Sequence, residues 1–242
     1  MTDITDITAA LNWKLLAGSH EFPGPDGGTC INEAAIVVAG LQYRPVGSAG
    51  DCPCSFSQPI AAYAIALNDR MPEDLRQELL LPFVTQFAGS ADARAIERKR
   101  TDLIALRTTT DVLSLVLRTL KREELSRLCE RAKSARQAHA AAAQVRDALR
   151  APAVDATTAA VYVAAASYAD ADYGDVAAAI TYAANAAAAA AHAGVTAADR
   201  RQIWIRAAAI LDAALRIGKH AEPIERSAIV QRAEEAKRRI VA

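Results

Sequence analysis

Twelve of the eighteen residues over 176–193 are alanine, and this run restricts the fold more than any other feature of the chain. Alanine loses almost no side-chain entropy on entering a helix, and alanine faces let helix axes approach more closely than leucine faces do. Tyr162, Tyr168, Tyr173 and Tyr182 stand among the alanines of the same region and are of a size to fill the wider gaps. Antiparallel helices are therefore expected over 154–193, broken near Asp172 to Asp175. The tyrosine–alanine rhythm keeps no fixed period, which argues against a solenoid. Alanine is too weakly hydrophobic for this run to read as a membrane span, and Tyr182, Asn185 and His192 interrupt it.

The rest of the chain also carries helical signals. Residues 7–17 are expected as a short helix burying Leu11, Leu15 and Leu16 and ending at Gly18. A helix is expected from Cys30 to Ala39, stopped by Gly40, with Glu33 at the capping-box position. Pro59 opens another, and Pro72-Glu73-Asp74 a third, which bends at Pro82 and ends at Gly89. Ser90 is expected to cap an arginine-rich helix, and Thr108 to Asp111 to interrupt the chain before the apolar stretch that begins at Val112. The stripe Leu125, Leu128, Cys129, Ala132, Ala135, His139 and Ala142 predicts one helix running to Pro152. Thr196 with Asp199 starts a helix striped by Ile203, Ala207, Ile210, Ala214 and Ile217 and ended by Gly218, and Pro223 opens the last. The expected fold is all-α and multihelical, with about eight or nine helices and an irregular N-terminal region containing proline, glycine and cysteine.

Charge divides the chain. Residues 1–90 hold 4 basic and 10 acidic side chains, 91–150 hold 14 and 8, and 151–242 hold 10 and 10. This suggests an acidic, loop-bearing lobe over 1–90 and an alanine-rich helical lobe over 91–242. With 28 basic and 28 acidic residues in all, the molecule has no net field that would draw it to nucleic acid. Nucleic-acid binding through the arginine-rich stretch 94–136 is a third reading, set against the acidic front and basic middle satisfying one another inside the molecule. The N-terminus lacks the basic cluster of a secretory signal, so a cytoplasmic protein with reduced Cys30, Cys52, Cys54 and Cys129 is expected.

The chemistry-bearing stretch is HEFPGPDGGTCINEAAIVVAGL, over 20–41. A cysteine at a helix start faces unpaired N–H groups and the positive end of the dipole, which favour thiolate. With His20 as base, oriented by Glu33 or Asp26, Cys30 would be a nucleophile. The plainer alternative makes Cys30 a small buried hydrophobe and His20 a loop residue bonded to a carbonyl. Cys52-Pro53-Cys54 with His20 and Cys30 offers zinc one nitrogen and three sulfurs, although structural zinc usually has two or more residues between paired cysteines. The Gly24 to Thr29 loop could cradle an anion but has no phosphate-binding lysine. Asp170, Asp172 and Asp175 open like a calcium loop, but Thr181 stands where its closing glutamate is needed. His139 and His192 read as structural, and Trp13 and Trp204 as core.

Trp13-Lys14-Leu15-Leu16, followed by GSHEFPGPDGG and TCINEAA, together with the alanine–tyrosine tail and ILDAALRIG, resembles a group of bacterial proteins to which no activity is attached. The tail is also similar in composition to that of bacterial immunity proteins, which bind and block a toxin. Neither resemblance implies a catalytic residue. Two functional expectations follow. The first is a cytoplasmic bacterial helical binding or scaffold protein that contacts a protein partner or a second copy of itself. The second is a thiol-dependent enzyme using Cys30, with His20 as base.

Overall fold

The computed structural model describes residues 13–20, 28–149, 196–220 and 224–241. The expected alanine–tyrosine helices over 154–193 lie outside these residues, as does Asp26. Among the described residues the chain is all-α apart from one two-residue strand pair. Its helices are α1 (Ile31–Val38), α2 (Gln58–Arg70), α3 (Glu73–Leu80), α4 (Arg94–Arg107), α5 (Ser114–Thr119), α6 (Glu123–Glu130), α7 (Ala135–Ala148), α8 (Ala197–Leu215) and α9 (Arg226–Val241). No helix among them is long and apolar enough to cross a membrane. The chain forms two compact units, one of residues 1–97 with 215–242 and one of residues 98–214. Residues 215–242, grouped with the alanine-rich part by composition, thus belong with the N-terminal residues.

In the first unit α1 is the core helix, with all eight residues of INEAAIVV buried, Asn32 and Glu33 included. Packed around it are α2, α9 and a 3-10 segment, Leu81–Gln86, into which Pro82 converts the end of α3. Gly40, at φ 72°, closes α1, with its N–H donating to Val37 O at 2.9 Å and that of Leu41 to Ile36 O at 3.1 Å. This double bond across a left-handed residue is the Schellman ending. A Cβ at Gly40 would lie 2.9 Å from Arg232 Nε, and Arg232 Nη1 donates to Val38 O at 2.6 Å. A side chain of α9 therefore satisfies a carbonyl that the end of α1 leaves open.

Residues 13–17 depart from the helix expected over 7–17. Lys14–Leu15 (β1) is extended and pairs in parallel with Gly28–Thr29 (β2). Side chains far along the sequence take up its backbone groups. Gln77 accepts from Leu15 N at 2.9 Å and donates to Trp13 O at 2.7 Å, while Arg76 donates to Leu15 O at 3.0 Å. Asn68 donates to Leu16 O at 2.7 Å. With these bonds available, the extended chain needs no helical ones.

The Ser90 expectation is also corrected. Ser90 Oγ donates to Phe87 O at 2.6 Å and accepts from Ser57 N at 3.0 Å, so it ties the preceding turn to the start of α2. The next helix begins only at Arg94.

The second unit corrects two further expectations. Thr108 to Asp111 do not interrupt the chain. α4 runs into α5 through a widened π-helical turn, Thr108–Leu113, in which Ser114 N donates to Thr109 O. Thr109 and Ser114 turn their hydroxyls back onto Ala105 O and Thr110 O, so these residues are satisfied inside the helix and need not cap one. Conversely, the stripe from Leu125 is split between α6 and α7. Ser134 caps α7, accepting from Gln137 N at 3.3 Å, while Gln137 Oε1 accepts from Lys133 N at 2.7 Å. Val112, Leu113, Val116, Leu117, Cys129, Ala138, Ala142 and Val145 form its core, all without exposed surface.

Candidate functional site

Cys30 is the N-cap of α1 and Glu33 is its third residue, as the capping-box spacing requires. Cys30 Sγ accepts from Glu33 N at 3.4 Å, and Cys30 N donates to Glu33 Oε2 at 3.0 Å. The Glu33 carboxylate, fully buried, gathers much more than its own cap. Oε1 accepts from Ser19 Oγ at 2.6 Å, from His20 N at 3.2 Å and from Val46 N at 3.0 Å. Oε2 also accepts from Thr29 Oγ1 at 3.3 Å. Segment 21–27 lies outside the described residues, yet both its flanks, Ser19-His20 and Thr29-Cys30, end on this one carboxylate. The residues before β2, those after it and the Val46 turn are fastened at a single point in the core.

The side chains proposed for chemistry have other occupations. His20 Nε2 is 2.9 Å from Ala17 O, and its backbone carbonyl accepts from the Tyr43 hydroxyl. Cys30 is 3 % exposed. Burial above all, and then the Glu33 carboxylate beside it, push its thiol well above the ordinary range. The backbone N–H groups of the helix start pull the other way, as the sequence argument anticipated, but burial outweighs them. Glu33 does not orient the His20 ring by any bond found here. It holds the His20 backbone.

Cys52 and Cys54 lie just after a 3-10 turn, Ala49–Asp51, with Cys52 buried and Cys54 exposed. Burial pushes the Cys52 thiol up to about 12, against a smaller opposing pull from Arg44. His20, Cys30, Cys52 and Cys54 are all described, and among the described residues no three His, Cys, Asp or Glu side chains are placed to hold a metal ion. The four-ligand zinc set is therefore not brought together. Cys52 is buried while Cys54 is exposed, and Cys30 already serves as a cap. Cys129 is buried in the second unit, as its place on the helical stripe indicated.

Sequence reasoning missed the residues that complete this arrangement. Asn68 is fully buried, its Oδ1 accepting from Ile31 N at 3.3 Å while its amide reaches Leu16 O, so one side chain joins the start of α1 to β1. Arg76 is buried with both Nη groups on carbonyls, Leu15 O and Met71 O. A polar residue on a helix gives no local sign that it will be buried when a partner such as Leu16 O for Asn68 or Leu15 O for Arg76 lies 52 or 61 positions away.

No protein-family model, curated protein or solved structure matches the chain.

Proposed function

We propose that the protein is a cytoplasmic bacterial binding or scaffold protein, acting through contacts with a protein partner or a second copy of itself. The observation that supports this reading is the employment of the Glu33 carboxylate. The groups that looked like a nucleophile, a base and an orienting acid are instead a cap, a backbone anchor and the acceptor for both flanks of segment 21–27. Such bracing of the flanks suits contact made through the proline- and glycine-rich sequence between them, because flanks fixed beforehand lose less entropy when a partner is met. Toxin blocking, of the kind performed by the immunity proteins that the tail resembles, would be one form of such contact. The thiol-enzyme alternative has the buried and strongly protonated Cys30 against it.

Photo-crosslinkers placed at Asp26 in segment 21–27, and at exposed Arg127 as a control, test the proposal in the full-length chain. A single discrete adduct, to another protein or to a second copy, is expected from Asp26, unchanged by Cys30→Ala and weakened by Glu33→Gln. Absence of any discrete adduct together with rapid, selective alkylation of Cys30 would overturn it in favour of thiol chemistry.

A further inference from the structure

Residues 13–16 lie against α2 and α3 as an extended peptide lies against its receptor. Side chains of one short stretch, 68–77, read their backbone. Gln77 takes both Leu15 N and Trp13 O, Arg76 the carbonyl of Leu15 at 3.0 Å, and Asn68 that of Leu16 at 2.7 Å. Trp13 and Leu15 are buried, while Lys14 between them is exposed and pairs with Glu73 at 2.6 Å. Extended peptides are recognised in this manner, by main-chain hydrogen bonds and by burial of alternate side chains. The reading side chains are also fixed independently of the segment. Arg76 Nη2 donates to Met71 O at 2.7 Å, and Asn68 Oδ1 accepts from Ile31 N at 3.3 Å. A site held in shape by its own bonds spends little on being refilled. The segment itself is lightly attached at its ends: its sheet pairing with β2 is two residues long, and Ala17 to Ser19, which follow it, are exposed. Within them Gly18, at φ 84°, has nothing within 4 Å of a Cβ, and its N–H makes an exposed bond to Asp69 Oδ1 at 2.9 Å.

We propose that α2 and α3 form a binding site for an extended peptide with an aromatic residue and a leucine at alternate positions, and that residues 13–16 fill it as a displaceable strap of the same chain. A basic residue between the two pairs with Glu73, as Lys14 does. Asn68, Arg76 and Gln77 bind main-chain groups and so accept any sequence, which leaves selectivity to the two buried side chains. This site is distinct from segment 21–27 and stands whatever that segment contacts.

The test uses the full-length chain and a fluorescein-labelled peptide of residues 11–19, LNWKLLAGS. In the wild-type protein the attached segment competes at an effective concentration of about 1 mM or more, so labelled peptide should bind weakly. Leu15→Ala loosens the attached segment and should tighten peptide binding by about tenfold or more, and Trp13→Ala is a second such variant. A peptide carrying both Trp13→Ala and Leu15→Ala should not bind. Gln77→Ala, added to a loosened chain, removes two hydrogen bonds and should weaken the peptide about tenfold. A measurement on the wild-type chain needs no variant to fold: unlabelled peptide at millimolar concentration should accelerate hydrogen exchange at Leu15 N–H by displacing the strap. Saturable binding to neither loosened variant, with exchange at Leu15 unchanged in the wild type, would overturn the site. Equal binding of the doubly substituted peptide, or binding indifferent to Gln77→Ala, would do the same.

Discussion

Cys30 and Glu33 cap each other at the start of α1, the thiol sulfur accepting from the Glu33 amide at 3.4 Å and the carboxylate from the Cys30 amide at 3.0 Å. The same carboxylate reaches Ser19, His20, Thr29 and Val46, so the local cap is also the long-range fastening of the first unit.

Glu33→Gln replaces one acceptor oxygen by an NH2 group facing donors that have no water to turn to. The expected loss is about 2–4 kcal/mol in urea unfolding, with Glu33→Ala at least as severe. A loss under about 0.5 kcal/mol, within the range of ordinary surface substitutions, would mean that the carboxylate does not hold these segments.

Thiol labelling separates the four cysteines. Cys54 is exposed and should react first with iodoacetamide in the native protein, while Cys30, Cys52 and Cys129 are buried and should wait for unfolding. Mass mapping of the labelled peptides over time gives the order directly.

The buried thiols also set an alkaline limit. Burial raises Cys52 and Cys129 from about 9 to about 12 and shifts Cys30 in the same direction. Between these values the unfolded chain has released protons that the native state keeps, so stability is fully present below about 9 and falls as pH rises through the window. Each such thiol adds a slope of up to about 1.4 kcal/mol per pH unit. Urea midpoints measured from pH 8 to 11 should fall, and Cys129→Ala should flatten the fall.

Two left-handed residues should respond oppositely to substitution. Lys121, at φ 57°, ends α5 with Arg122 N on Leu117 O at 2.8 Å, the ending that Gly40 gives α1. Lys121→Gly should stabilise by up to about 1 kcal/mol, since glycine adopts this conformation without steric cost. Gly218, at φ 78°, has no such latitude: a Cβ there would lie 2.5 Å from Asp92 Oδ2 and from Ile96 Cγ2. Gly218→Ala should cost more than about 2 kcal/mol, and thermal unfolding of the pair checks both signs.

Asn68→Ala removes the acceptor of Ile31 N and the donor to Leu16 O together. A loss of about 1–3 kcal/mol is expected, with hydrogen exchange at Leu16 and Ile31 accelerated ahead of the rest of α1.

Local sequence was enough for the helical class, the capping role of Glu33, the glycine ending at Gly40 and the buried stripe of α8. All of these depend on residues within about four positions of one another, where helix geometry fixes who meets whom. The cap that splits α6 from α7 was legible too, in Ser134 and Gln137, but the apolar stripe running through it masked the signal. Tertiary structure decided the rest. Residues 13–17 became extended because Asn68, Arg76 and Gln77 supply hydrogen bonds that no neighbouring residue could. Cys30 lost its thiolate character because burial is a property of the packed core, and it outweighs the local field of a helix end. Glu33 became a fastening point because Ser19 and Val46 arrive beside it only when the chain has folded.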